Sequence, residues 1–182
     1  MKHCLFSLAA AALLLSAGSA HGQAIPLATR PGLLQVGAGY SNGSTDELSK
    51  RISGASVYAT FDFAQHLGAE ADVHYLNFGT PQDFAEDEYL IGPRYVYRIR
   101  RYEPYLKVLV GIGQTKDQAS YRVAPGTPGS YFAASFGGGL DIRLSHGINV
   151  RAVDFERQEW FGFPPNGLTP TVLTFGVAYR IR

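Results

Sequence analysis

The sequence has little cysteine, no excess charge of either sign and no long apolar run in its main part. Its 182 residues include one cysteine, Cys4, and 16 basic against 15 acidic side chains. The near balance of charge leaves no basic surface of the kind that binds nucleic acid, so we expect no nucleic-acid partner. After residue 24 no stretch of 18 or more apolar residues occurs. A chain of this kind that enters a membrane must therefore do so as a closed β-barrel.

The first 24 residues have the pattern of a secretory signal peptide. Lys2 precedes an apolar stretch from Leu5 to Ala17, and small residues follow between Ala20 and Ala24. The apolar stretch is shorter than the ~20 residues that a membrane-spanning helix needs. We therefore predict cleavage near Ala20 to Ala24, and a single domain over residues 25–182. Cleavage would remove Cys4, so the mature chain could cross an oxidising periplasm without forming stray disulfides.

Glycine and aromatic residues are abundant, with 21 Gly, 11 Tyr and 11 Phe, a composition that favours strands and tight turns. Eight segments show apolar and polar residues in alternation, which is the period of a strand. They are Leu33–Tyr40, Ser56–Phe63, Leu67–Tyr75, Tyr89–Arg100, Tyr105–Gly113, Phe132–Leu144, Ile148–Phe161 and Leu173–Arg182.

The connections between these segments alternate in length. Three are short: Ala64–His66, Arg101–Glu103 and Ser145–Gly147. Four are long and rich in polar residues, Pro or Gly: Asn42–Lys50, Gly79–Glu88, Gln114–Ser130 and Gly162–Thr169. Short turns at one end and long loops at the other are typical of bacterial outer-membrane barrels. The predicted fold is all-β: an eight-stranded antiparallel up-and-down transmembrane β-barrel.

Alternation alone does not say which face of the strands meets water. Three features favour an apolar face toward lipid. Small and charged residues share the polar face, as a narrow barrel interior requires. Aromatic residues lie near the strand ends of the apolar face, and the segments are long enough to cross a bilayer. One point stays open: Arg151 and Asp154 fall on opposite faces under strict alternation, whereas a β-bulge between them would place both inside.

Four segments, taken in their order and spacing, resemble the OmpA-like outer-membrane β-barrel domain family in its small, single-domain form. They are Tyr89–Tyr95, Pro104–Gly113, Ser135–Asp141 and Thr174–Arg180. The resemblance covers roughly residues 32 to 182. It implies location in the bacterial outer membrane and insertion by the barrel-assembly machinery. Members of the family often end in an aromatic residue, whereas this chain ends in Ile181-Arg182.

Charges inside a narrow barrel are costly unless they are paired. We expect the acidic residues Glu70, Asp72 and Asp141 to pair with Arg94, Arg98, Lys107, Arg143 and Arg180, and so to plug the interior. A small gated pore, opened when these residues exchange partners, is the alternative.

Other candidate sites are weaker. Glu70, Asp72 and His74 share one face and could bind a metal or transfer protons, but packing in the interior is the favoured interpretation. Trp160, Phe161 and Phe163 form an aromatic group at the loop end of the seventh strand. They either anchor the barrel at the membrane interface or form an exposed patch that contacts a partner. We predict no catalytic residues, no cofactor and no bound metal.

The function predicted from these observations is structural, or an adhesion-like surface interaction through the long loops. The predicted partners are outer-membrane lipid, lipopolysaccharide and an extracellular partner that the sequence does not identify, and we expect a monomer. Two alternatives from other classes remain. A soluble periplasmic barrel that binds a small ligand would need the opposite facing of the strands. A lipid-modifying enzyme would need convergent polar residues at one rim of the barrel.

Overall fold

The computed structural model describes residues 32–44, 51–78, 85–116, 129–162 and 167–181. The predicted signal peptide lies outside these residues, as do most of the long loops. Among the described residues, no helix is long and apolar enough to cross a membrane.

Eight antiparallel strands close into one barrel, in which each strand pairs with its neighbours in the chain and β1 pairs with β8. Their bounds are β1 Leu33–Ser44, β2 Ile52–Asp62, β3 Leu67–Phe78, β4 Ala85–Val96, β5 Tyr102–Lys116, β6 Gly129–Arg143, β7 Ile148–Phe161 and β8 Thr171–Ile181. The predicted fold is confirmed. Closure leaves no unpaired strand edge, which is the condition for crossing lipid with strands.

The strands extend further into the long connections than the sequence pattern predicts. Strand β4 begins at Ala85, so three acidic residues that we expected in a loop, Glu86 to Glu88, belong to it.

Strand β5 begins at Tyr102, within a predicted turn. The turn between β4 and β5 is instead a tight hairpin closed by backbone hydrogen bonds of 2.8 Å in both directions between Ile99 and Tyr102. Its first central residue, Arg100, has a positive φ of 55°.

The two faces of each strand differ in exposure. The seven aromatic side chains that the sequence places near strand ends on the apolar face are 40–63% exposed. They are Phe61, Phe63, Tyr75, Tyr95, Tyr97, Phe132 and Tyr179. The opposite face is buried inside the barrel, and most of its side chains are polar or charged.

Strand β7 contains the β-bulge that strict alternation left undecided. Its register against β8 shifts between Arg151 and Asp154, and its register against β6 shifts at the same level. Arg151 and Asp154 are each 1% exposed. The bulge therefore turns both side chains into the interior.

Candidate functional site

The interior of the barrel is filled by side chains in three levels. We call the end with the short connections the short-turn end and the opposite end the loop end. A cluster of arginines and acids occupies the short-turn end, a charged network fills the middle, and apolar side chains close much of the loop end.

The central network is built around Lys107 on β5. Its Nζ atom lies 2.9 Å from Glu70 Oε1, 2.6 Å from Asp72 Oδ2, 2.6 Å from Asp154 Oδ2 and 2.8 Å from Glu156 Oε1. All five side chains are at most 2% exposed. An ammonium group has three hydrogens to donate, so these four carboxylates share it. Strands β3, β5 and β7 are thereby joined across the interior.

Two arginines surround the same carboxylates. The guanidinium of Arg151 meets Glu70 through two parallel contacts of 3.0 and 3.1 Å, the forked geometry that arginine favours with a carboxylate. Its flat face lies 3.7 Å from the centre of the Tyr58 ring. Arg94 contacts Asp141 at 2.6 Å and stacks 4.0 Å from the centre of the Tyr105 ring. Because each ring covers a guanidinium face, the in-plane N–H groups stay available to the acids.

The basal cluster at the short-turn end has a different set of partners from the one predicted. Arg98 contacts Asp62, Arg143 contacts Glu103, and Arg180 lies 3.5 Å from Glu103. We expected these arginines to pair with Glu70, Asp72 or Asp141, which instead lie in the central network. The sequence assigned Glu103 to a turn, so it was not considered as an interior acid.

The structure brings together five of the eight predicted interior residues in the central network: Glu70, Asp72, Arg94, Lys107 and Asp141. It also adds three residues of β7, Arg151, Asp154 and Glu156, that the sequence analysis did not assign. Their position depends on the bulge, which no residue pattern in β7 specifies. Arg98 and Arg143 are partly exposed, at 24% and 36% of their side chains.

Three residues above the central network contact one another in a row, through one hydrogen bond and one ion-pair contact. Ser41 Oγ lies 3.3 Å from His74 Nδ1, and His74 Nε2 lies 3.4 Å from Glu156 Oε1. Serine, histidine and carboxylate in this order are the groups of a hydrolytic triad. Here Ser41 is fully buried and also contacts Thr174 Oγ1 at 2.7 Å. In the part of the chain that the structure describes, Ser41 therefore has no exposed surface.

Among the described residues, two sets of three have ligand atoms close enough to hold a metal ion: Asp72, His74 and Glu156, and Glu70, Asp72 and Asp154. Both sets include carboxylates that Lys107 already contacts. The ammonium group therefore supplies the positive charge that a metal ion would bring.

The prediction that Trp160 could be part of an exposed patch is wrong. Trp160 is fully buried, because the alternation that begins after the bulge turns it inward. It packs with Leu90, Leu109, Ala133 and Leu168, and its Nε1 donates to Gln158 Oε1 at 2.9 Å. We call these five apolar residues, together with a second group formed by Ile52, Leu76 and Val172, the apolar plug.

Its neighbours in the sequence lie elsewhere. Phe161 is 47% exposed on the outer face and lies 5.8 Å, between ring centres, from Phe132. Phe163 lies outside the described residues. Most residues of the apolar plug lie on the same face of their strands as the interior charged residues. This shared face is the sequence signal from which their position inside the barrel could have been predicted.

The closed eight-stranded barrel, with its apolar outer face and polar interior, is that of a bacterial outer-membrane barrel protein. The outer membrane protein β-barrel domain model matches residues 10–180, and the chain belongs to that family. The predicted OmpA-like resemblance and outer-membrane location are thereby confirmed. No match was found among curated protein sequences.

Solved structures of other outer-membrane proteins have the same fold. Neisserial surface protein A has a TM-score of 0.60 and 12% identity, over 82% of this chain and 97% of its own. Ail of Yersinia pestis, in complex with the heparin analogue sucrose octasulfate, has a TM-score of 0.58 and 16% identity, over 84% and 100%. The N-terminal barrel of Pseudomonas aeruginosa OprF has a TM-score of 0.55 and 11% identity, over 82% and 97%. At these identities the likeness concerns the fold alone.

Proposed function

We propose that this protein is a non-conducting, non-enzymatic membrane scaffold that presents its long loops for an adhesion-like surface interaction. The observation that carries the proposal is the filled interior. An ion that entered the barrel would have to displace the ammonium of Lys107 from four carboxylates. It would also have to pass the apolar plug at the loop end. Both steps oppose conduction, because separating a buried charge from its partners is costly.

The same features support a rigid base for the loops. Contacts of the central network join strands that are distant in sequence, such as Glu70 of β3 to Arg151 of β7. Loops held on a rigid barrel are where binding residues are most often found. The burial of Ser41 supports the non-enzymatic part of the proposal. The Ser41 hydroxyl contacts His74, but the Ser41 side chain is fully buried.

Two measurements test the proposal separately. The first is single-channel conductance of the full protein in planar bilayers. We expect no stepwise conductance from the wild type or from Glu70→Ala, because the apolar plug remains in both. Steady channel openings in the wild type would contradict the scaffold and favour a small pore.

The second measurement concerns the loops. Cells that display the wild type would be compared with cells displaying a variant in which residues 117–128 are replaced by a Gly/Ser segment of equal length. We expect the variant to lose adherence to surfaces coated with extracellular-matrix protein, while its barrel keeps its heat-dependent shift on SDS gels. A matched replacement of residues 79–84 shows whether one loop or several carry the contact. Equal adherence of wild type, both variants and cells without the protein would contradict the surface-interaction role.

A further inference from the structure

The short-turn end of the barrel carries more positive charge than its own acids can balance. Five arginines lie at this end: Arg98, Arg100, Arg101, Arg143 and Arg180. Three described acids lie at this level: Asp62, Glu103 and Asp141, which pairs opposite Glu103 on β6. Asp141 is already contacted by Arg94 and Arg151, and Glu103 is shared by Arg98, Arg143 and Arg180. The excess indicates that an anion from outside the chain would be stabilised here.

Two guanidinium groups of this cluster also have donors left over. The Nε atoms of Arg143 and Arg180 are buried and have no hydrogen-bond partner among the described residues. A buried donor without a partner costs free energy that a matching acceptor would recover. Phosphate oxygens are acceptors that arginine binds in a planar, forked geometry.

A cleft lies beside Arg180, at the end of β8. Its volume is about 400 Å³, and it is lined by His146, Gly147, Tyr179, Arg180 and Ile181. Tyr179 and Ile181 are 63% and 43% exposed on the outer face, whereas Arg180 turns inward and is 7% exposed. The lining thus combines two outward-facing apolar side chains with the backbone neighbour Arg180, whose guanidinium lies on the inner side against Asn149 and Glu103. A ligand that reaches both sides of this rim must be amphipathic.

The hairpin between β4 and β5 extends the same basic surface. Arg100 and Arg101 are both exposed at its tip, and the outward-facing Ile99 and Tyr102 beside them are 50% and 48% exposed. Arg100 has a positive φ, at a position in a two-residue hairpin where glycine is normally preferred. Outer-membrane barrels have their short turns on the periplasmic side, where two arginines at the tip of a turn, next to apolar side chains, meet the lipid headgroups.

We propose that the short-turn end binds the phosphate of an anionic phospholipid from the periplasmic leaflet of the outer membrane. Arg143 and Arg180 donate to the phosphate, and the acyl chains lie along Tyr179 and Ile181. Arg100 and Arg101 raise the local concentration of anionic lipid around the cleft. A free anion would use the same arginines but would gain nothing from Tyr179 and Ile181, so the lipid is the favoured source of the phosphate.

Native mass spectrometry of the full protein, transferred from detergent with added lipid, tests the proposal. Phosphatidylglycerol and phosphatidylcholine with identical acyl chains differ in net charge, so their binding isolates the role of the arginines. We expect the wild type to bind phosphatidylglycerol more tightly than phosphatidylcholine. The double variant Arg143→Gln, Arg180→Gln should lose about tenfold in affinity for phosphatidylglycerol and little for phosphatidylcholine.

The control is Arg157→Gln, which removes an exposed arginine from the part of β7 nearer the loop end. It should leave the preference unchanged, and an equal loss in the control would show a general charge effect and overturn the proposal. Equal binding of the two lipids by the wild type would overturn it as well. Displacement of phosphatidylglycerol by equimolar inorganic phosphate would overturn the assignment to a lipid.

If the double variant does not fold, a second double variant, Arg100→Gln, Arg101→Gln, replaces it, because both of these side chains are exposed. An unchanged lipid preference in that second variant would then count against the proposal.

Discussion

Replacing Lys107 by methionine should strongly destabilise the barrel. Methionine has a similar length but no charge, so Glu70, Asp72, Asp154 and Glu156 would lose the ammonium that lies 2.6–2.9 Å from each of them. Removing one partner of a buried ion pair costs about 3–5 kcal/mol, because the remaining charge is left buried and uncompensated. Four carboxylates depend on this group, so we expect a loss at the upper end of that range.

The free energy of unfolding can be measured by urea titration of the protein in phospholipid vesicles, followed by the heat-dependent shift on SDS gels. A matched control is Val108→Met, at the next position in the strand, where the side chain faces lipid and is 48% exposed. Its cost should stay within about 0.5 kcal/mol. Adding Asp72→Asn to Lys107→Met should restore part of the lost stability, because it removes one of the opposed negative charges.

The expected coupling between the two changes is about 0.5–3 kcal/mol, as for residues within one network. A loss below about 1 kcal/mol for Lys107→Met would refute the description of Lys107 as the centre of the network. So would a double variant that is less stable than the single one, since it would show that the carboxylates do not repel one another once the ammonium is gone.

Two further predictions concern the interior. Trp160 is the single tryptophan of the chain, so tryptophan fluorescence reports on this site alone. Brominated lipid should quench this fluorescence only weakly in the folded barrel, because the indole is buried inside. Strong quenching would place the indole on the outer face. Trp160→Ala should cost about 3–5 kcal/mol of unfolding free energy in the same urea titration. A Cβ atom added at Gly111 would lie 1.8 Å from the carbonyl oxygen of Tyr89 on the paired strand. Gly111→Ala should therefore cost about 1–3 kcal/mol, and a variant as stable as the wild type would show that the two strands separate easily.

Alternation and connection length were sufficient to predict the number of strands, their order and the end that carries the long loops. The reason is physical: a strand with lipid on one side and a filled interior on the other must alternate with a period of two. The same pattern predicted that Lys107 and Arg94 share a face with Glu70 and Asp72, which lie together in the structure.

Other features of the interior depend on information that a period of two does not contain. The partner of Arg143 is Glu103, which lies on the neighbouring strand β5. The sequence predicted that this strand begins at Tyr105, three residues later than its start at Tyr102, so Glu103 was assigned to the turn. The facing of Trp160 follows from the bulge in β7, because every residue after the shift changes face relative to those before it. Side-chain pairing across the barrel requires the register between strands, and that register is set by turns and bulges.

The bulge in β7 also determines where the length of this strand can change during evolution. Losing one residue from a strand normally turns every later side chain to the opposite face. Between Arg151 and Asp154 the strand contains one residue more than alternation needs, so loss of Ala152 or Val153 would restore regular pairing and keep both charges inside. Loss of a residue after Asp154 would instead reverse the part of the strand that follows, turning Trp160 toward lipid. Single-residue length variation among relatives of this chain should therefore concentrate at these two positions of β7.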